Sequence, residues 1–513
     1  MTSLLKISSL IKKFMLETIV NNLSHIVPEL IVTATLCVVL LAHLISRKSL
    51  QLLTIISLVG LFAALYALTS NFGINVSAFS GMLSIDPFAT FFKILIVLAT
   101  IVIVLMSRFS EEINTEQKTI GEYYFLILSM CVGMMFMVGS SNLIMMYLTL
   151  ELSSLTSYIA SGFTRKAKDS SEASLKYLLY GAFSSGVMLY GISIIYGLTG
   201  TLDIAGVNRV LVQGSANGLA LIIASMFILV GFGYKISAVP FHFWTPDVYE
   251  GAPLTITAYL SVASKAAGFA MMMRAFKVMF IDSSVMNLPM GTWSFVSGIH
   301  IQNALMILSV LTMTLGNLVA IWQKNLKRLL AYSSIAQAGY MLLGLVVLSN
   351  DGFSAVMIYF VVYLFMNLGA FYVVLLIANK IGSENIDDYK GLGRRNPFLT
   401  VALAVFLISL TGLPPTAGFI GKWMIFISLI NAKMVGIAVI GVLNSVISLY
   451  YYIRIIRNMF LRDGVDQTSP VIEYPLAQKI LLLSLLVPTL YFGLFFNELV
   501  QFAQMSVTIF GIK

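Results

Sequence analysis

LALIIASMFILVGFGYKISAVPFHFWTPDVYEGAP, residues 219–253, decides the fold. From Leu219 to Tyr234 the chain is almost continuously apolar, as a helix crossing lipid must be. Lys235 follows, and Pro240 stands five residues beyond it. Proline removes a backbone donor and clashes with the preceding turn, so the helix breaks there and frees carbonyls that need partners or water. His242, Pro246 and Pro253 continue the interruption. Two readings of Lys235 stand side by side. A lysine held beside a helix break can accept and release a proton; a lysine whose stem snorkels to the interface is merely solvated.

Working outward, the rest of the chain has the same character. Of 513 residues, 59% are hydrophobic and 10% charged, with mean hydropathy +0.93. Too little polar surface exists to hold such a chain in water. Apolar runs of about 18–25 residues recur, too long for barrel strands, and lipid permits only helices or closed barrels. The fold class is therefore an all-α polytopic membrane protein with about fourteen spans. They fall near 26–45, 52–70, 88–107, 122–139, 142–162, 174–198, 217–238, 254–280, 300–322, 328–349, 354–378, 399–430, 435–460 and 478–500. The twelfth carries GLPP and reads as interrupted.

Several functions are excluded by what the sequence lacks. Cys37 and Cys131 sit singly in apolar runs and cannot supply an iron–sulfur cluster. No dinucleotide fingerprint and no phosphate-binding loop is found. The net charge of +9 belongs to loops, not to a nucleic-acid surface. Arg47 and Lys48, Arg108 and Lys118, Arg165, Lys166 and Lys168, Lys324, Lys327 and Arg328, Lys380, Lys390, Arg394 and Arg395, and Arg457 and Arg462 all follow odd-numbered spans. Arg209 and Lys433 are the main exceptions. The positive-inside rule then puts odd loops in the cytoplasm and both termini outside. Lys6, Lys12 and Lys13 oppose that placement; with Leu4, Ile7, Ile11 and Phe14 they fit an interfacial amphipathic leader over 1–24 better than a signal peptide.

Ionisable residues at bilayer depth are functional candidates by default. Lys422 follows Pro414 and Pro415 in TGLPPTAGFIGKW, a second broken helix. Five spans separate it from the helix of Lys235, so the two run in opposite directions, as in an inverted-topology repeat. This divides the chain into helices 1–3 (25–120), a first five-helix repeat (121–281), a second (299–461) and a C-terminal loop and helix (462–513). Glu151 lies deep in span five and must pair or be protonated; Lys235 is its candidate partner. Lys265 sits mid-membrane among small residues. Lys176 opens span six, where a lysine at a helix end is ordinary. Glu29, Lys93 and Arg274 read as structural or interfacial, and the methionine-rich stretches at 134–137 and 271–273 as packing.

VPFHFWTPDVYEGAP, SVASKAAGFA, LLAYSSIAQAGY, YLFMNLGAF, GLPPTAGFIGKW and YYYIRIIRNMF together resemble the antiporter-like membrane subunits of respiratory complex I, over about residues 25–460. TPDVYEGAP and SKAAGFA are in the wording of the N-type subunits; related L- and M-type subunits and Mrp antiporters more often have a stretch like LPDAH. The M-type carries glutamate where this chain has Lys422. The basic leader is not a usual family feature.

The resemblance implies a proton-translocating subunit of an NADH (or related donor):quinone oxidoreductase in a bacterial cytoplasmic membrane or one derived from it. By position, Glu151 and Lys235 match a paired carboxylate and lysine, Lys265 the central lysine, Lys422 the lysine at the second break, Lys176 a further family lysine and His242 a polar residue of the connecting axis. It implies no cofactor in this chain, with NADH, FMN, iron–sulfur clusters and quinone in partner subunits. The partners implied are M-, L-, K-, A-, J- and H-type membrane subunits, lipid, and indirectly a peripheral redox arm, with no nucleic acid. Sodium/proton antiport in an Mrp-like assembly and a non-catalytic membrane scaffold are the competing readings.

Overall fold

A computed structural model describes residues 20–45, 49–115, 119–164, 167–214, 217–282, 285, 291–296, 301–462 and 474–509. Lys6, Lys12 and Lys13 of the leader, and Arg47, Lys48, Lys118, Arg165 and Lys166 among the loop charges, lie outside them. Among the described residues, thirteen helices are long and apolar enough to cross a membrane. In chain order they begin with α1 (Val27–Ile45), α2 (Leu50–Ser70), α3 (Pro87–Arg108), α4 (Ile120–Gly139), α5 (Leu143–Ser161) and α6 (Lys168–Thr199). Next come α7 (Gly218–Ile236), α8 (Leu254–Met279), α9 (Ile301–Ala320), α10 (Leu326–Val346) and α11 (Asn350–Ile381). Two shorter apolar helices, α12 (Pro397–Thr411) and α13 (Ala417–Asn431), divide the twelfth passage between them. α14 (Val435–Leu461) and α15 (Leu476–Leu494) complete the spans, and α16 (Asn497–Ser506) is short and amphipathic.

The all-α class holds, and two details are added to it. The all-α reading omits a small antiparallel hairpin, Val76–Ala78 paired with Leu83–Ile85, which joins α2 to α3. The last span, read as 478–500, stops at Leu494, where the backbone turns before Asn497 and Glu498 open α16. An amphipathic ten-residue helix lacks the length to continue a passage through lipid.

Polar caps set where the helices begin. Asp86 accepts from the amide of Ala89 at 2.7 Å, with Pro87 in the first helical position, so α3 starts where its donors are satisfied. Asn142, Asn217, Asn325 and Ser349 cap α5, α7, α10 and α11 in the same way. In lipid, apolar burial drives little association between helices, and close backbone packing takes over. α9 and α10 show this: a Cβ on Gly339 would stand 2.4 Å from the amide nitrogen of Met313, and one on Gly316 2.7 Å from that of Ala336.

The result is a bundle with a protein-lined centre and a lipid-facing rim. Every residue of α8 is buried, and α10 and α11 are nearly so. α6 and α14 turn Phe183, Tyr190, Val446 and Tyr450 outward, as helices at a lipid boundary do. α6 and α10 begin at one face of the bundle; α8 and α10 end, and α11 begins, at the opposite face.

A buried row of lysines

Three lysines enter the protein-lined centre: Lys235 is 1% exposed, Lys265 2% and Lys422 3%. Charges so far from water require partners. Among the described residues no carboxylate lies within 4.0 Å of any of them. Each amine is held instead by hydroxyls, carbonyls and aromatic faces.

Lys235 stands in the last turn of α7, which ends at Ser237 in the left-handed conformation (φ 63°). Its Nζ donates to the hydroxyls of Ser153 and Ser154 on α5, both at 3.2 Å. Glu151 is two residues earlier on α5, with a buried Oε1 that has no hydrogen-bond partner. The expected Glu151–Lys235 pair is therefore not a direct ion pair; the serines occupy the amine. The stem of Lys235 lies against α8, where a Cβ on Gly268 would meet its Cγ at 3.0 Å.

Lys265 lies three residues before Gly268, on the same α8. A π-helical turn, Leu260–Ser264, immediately precedes it. Such a turn inserts a residue into the helical ladder and changes the direction of side chains beyond it. Lys265 Nζ donates to the hydroxyl and the carbonyl of Ser334 on α10, each at 2.9 Å, and lies 6.0 Å from the centre of the Tyr249 ring.

From Ser334 a polar route continues. Gln337, one turn further along α10, donates to the carbonyl of Leu410 at 2.9 Å and accepts from the hydroxyl of Tyr359. The next carbonyl, Thr411, ends α12 and accepts from Lys422 Nζ at 2.9 Å. Ser445 also accepts from that amine at 2.9 Å, and the Tyr340 ring lies beneath it at 4.1 Å. Ser334, Gln337 and the α12 terminus thus lie in sequence between the two amines, Ser334 bonded to Lys265 and the Thr411 carbonyl to Lys422, with no hydrogen bond described from Ser334 to Gln337.

Of the other two expected residues, Lys176 stands apart and His242 lies within electrostatic reach of Lys265. His242 is buried in the connection after α7, with its ring 4.6 Å from that of Phe243 and no partner for Nδ1. The same connection is anchored to α9, where Thr312 Oγ1 accepts from the amide of Val239 at 3.0 Å. Lys176 is 37% exposed and pairs with Glu172 at 2.8 Å and Asp247 at 2.6 Å. Asp247 also receives Arg328 at 2.8 Å, and Arg328 reaches Glu250 at 2.6 Å. Lys176 therefore ties the short helix Trp244–Gly251 to α6, while Arg328 ties it to α10. Partial burial alone would raise the Asp247 carboxyl, but hydrogen bonds from Lys176 and Arg328 outweigh it and hold the group below its ordinary value.

Sequence reasoning left Asp86, Gln337 and Asp247 unnamed. Asp86 grips Arg274 through two buried bonds of 2.7 and 2.8 Å, and Glu29 meets Lys93 at 2.6 Å. Arg274, Glu29 and Lys93 are thus occupied with one another's helices, outside the lysine row. Asp86 carried a signal, an acidic residue before proline at a helix start; Gln337 carried none. No group of three or more His, Cys, Asp or Glu residues that could hold a metal occurs among the described residues.

Residues 140–448 match the family described as NADH:quinone oxidoreductase/Mrp antiporter, transmembrane. The chain is 46% identical over 505 residues to the NADH-quinone oxidoreductase subunit N of Chlorobium chlorochromatii, covering 97% of each chain. It is similar in structure to a chain of respiratory complex I from Thermus thermophilus, with TM-score 0.75 and 29% identity over 92% of this chain and 98% of that one. A chain of the Mrp complex from Dietzia sp. shares the fold, with TM-score 0.78 and 20% identity over 94% and 97%.

Proposed function

This chain belongs to the NADH:quinone oxidoreductase/Mrp antiporter transmembrane family, and from that premise we propose that it is a proton-translocating membrane subunit of a quinone-reducing complex. One observation carries the proposal: the amines of Lys235, Lys265 and Lys422 are buried without carboxylate partners, with the polar groups of Ser334, Gln337 and the end of α12 near the last two. A proton arriving at one amine raises the cost of charge at the next, so protons move by mutual repulsion along Lys235, Lys265 and Lys422. Glu151, which lacks a bond at Oε1, serves as the counter-charge for Lys235 when the serines release it. His242 extends the axis at the first break, and Lys176 holds the neighbouring helix in place. Redox energy arrives from partner subunits that carry NADH, FMN, iron–sulfur clusters and quinone; this chain contributes no redox centre. Other antiporter-like subunits flank it, in a bacterial cytoplasmic membrane with both termini outside.

The two proline-broken passages, five spans apart, support an inverted pair of repeats over 121–281 and 299–461. The decisive test replaces Lys265 with methionine in the assembled complex and measures proton uptake by reconstituted vesicles during quinone reduction. Several-fold loss with the complex intact is expected; wild-type pumping would refute the assignment. Sodium/proton exchange is the second reading, because the family description also names Mrp antiporters. Sodium-dependent exchange by the same vesicles without electron transfer would favour it.

A further inference from the structure

Lys277 lies outside the row of amines and near the end of α8, at the face opposite the Asp247–Arg328 cluster. It is 5% exposed, yet no described carboxylate lies within 4.0 Å of it. Its Nζ donates to Asn350 Oδ1 at 3.0 Å and has the Val507 carbonyl at 3.5 Å. The Trp293 ring lies 4.5 Å away and that of Phe353 5.5 Å. An ammonium has three donors, so one remains without a described acceptor. This buried amine lines a cavity of about 280 Å³, together with Asp351, Ser354, Gln504 and Thr508.

Asp351 is exposed and lines the same cavity without touching Lys277. Opposite charges sharing a hollow but standing apart suit a ligand that carries both. The hollow also shares Asp351, Ser354 and Gln504 with a second cavity of about 150 Å³, lined further on by Ile358, Met424 and Ile427. Asp351 to Ile358 is seven residues of α11, roughly 10 Å along the helix. The lining therefore passes from a charged end to an apolar one in the direction of the bilayer interior.

We propose that these joined cavities bind a phospholipid of the phosphatidylethanolamine class. Its phosphate accepts from Lys277, its primary ammonium donates to Asp351 and Gln504, and one acyl chain follows α11 past Ile358 between Met424 and Ile427. A quaternary choline headgroup has no N–H to give Asp351, and phosphatidylglycerol has no cation for it. The site is independent of the lysine row.

The test uses the full-length chain in phosphatidylcholine nanodiscs and phosphatidylethanolamine with a photoreactive acyl chain, the labelled peptides being mapped by mass spectrometry. Labelling is expected at Ser354–Ile358 and Met424–Ser428, displaced by unlabelled phosphatidylethanolamine and not by phosphatidylglycerol or water-soluble phosphoethanolamine. Lys277→Met should lower it at least fivefold, and Asp351→Asn should abolish the preference over phosphatidylglycerol. Asp351 is on the surface, so the second variant tests the site even where the first fails to fold. Equal labelling in wild type and both variants would overturn the proposal. So would displacement by phosphoethanolamine, which would mark a soluble-ligand site. Loss of labelling in the assembled complex would give the hollow to a neighbouring protein chain instead.

Discussion

The two broken passages place their lysines on opposite sides of the interruption. Lys235 precedes the first break, in the last turn of α7; Lys422 follows the second, early in α13. Read as sequence, they look like different devices. In space they converge, because Lys422 folds back to the carbonyl of Thr411, the end of α12. Both lysines therefore belong to helix C-termini, Lys235 by its place in the last turn of α7 and Lys422 through its amine on the last carbonyl of α12, and the negative end of a helix dipole favours positive charge. They differ in what grips them. Lys235 has two hydroxyls on a neighbouring helix and an unbonded carboxylate oxygen nearby on that helix; Lys422 has a fixed carbonyl, one hydroxyl and a ring. The first amine has partners that can be exchanged, and the second is anchored.

The harshest way to break the comparison is to remove each amine. Lys235→Met and Lys422→Met, separately, should each lower proton translocation per quinone reduced several-fold, with the complex still assembled. Vesicle acidification measured against quinone reduction checks this. A large loss at one break and none at the other would end the claim that the two sites are equivalent.

The backbone offers a gentler probe. Gly412 holds φ 87°, and a Cβ there would stand 2.8 Å from Lys422 Cδ. Gly412→Ala must both strain the chain and push the lysine from Thr411, costing about 1–3 kcal/mol. Ser237 occupies a left-handed position at the first break with a side chain already present. Ser237→Gly should therefore change stability by less than about 1 kcal/mol. Thermal unfolding of the two purified variants gives the difference, and equal shifts would mean that Gly412 is not specially required.

Much of this architecture was legible because lipid leaves the chain few options. Apolar runs long enough to span it had to be helices, and GLPP and the prolines after Lys235 had to interrupt them. Lys265 and Lys422 were marked by charge in an apolar run. What pairwise distance decides was not legible. Glu151 and Lys235 read as partners and lie within electrostatic reach of each other, yet Ser153 and Ser154, ordinary helix residues in sequence, take the hydrogen bonds of the amine. Asp86 and Arg274 meet across 188 positions, and neither residue advertises the other. Gln337 is one polar residue among small ones, and only its hydrogen bonds to the Leu410 carbonyl and the Tyr359 hydroxyl give it a place. The hairpin at 76–85 was hidden in a loop too short to show alternation.

Serine replacement tests exchangeable against anchored directly. Ser153→Ala with Ser154→Ala removes both described acceptors of Lys235, whereas Ser445→Ala leaves Lys422 its carbonyl and ring. Hydrogen bonds to charged groups contribute about 1.5–3 kcal/mol each. The double variant should depress proton translocation about threefold, less than loss of the amine itself, or alter its pH profile, and Ser445→Ala should have a smaller effect. Equal effects in vesicle pumping would place the same freedom at both lysines.

The smallest expected effect concerns what steadies the breaks from outside. Only the first has a described ionic tether, with Asp247 receiving Lys176 and Arg328. Asp247 has a folded-state pKa below its ordinary value of 3.8, so the tether contributes fully above that value and is lost as pH falls through the folded-state pKa. Asp247→Asn imitates that loss at neutral pH. Because the group is partly exposed, the pair is worth less than about 1 kcal/mol. Hydrogen exchange at pH 7 should quicken for the amides of residues 244–251 and stay unchanged for 412–418. Faster exchange at both breaks would show that the tether steadies the whole bundle, and no change at either would show that packing of Trp244 on Tyr177, with ring centres 4.3 Å apart, holds the short helix alone.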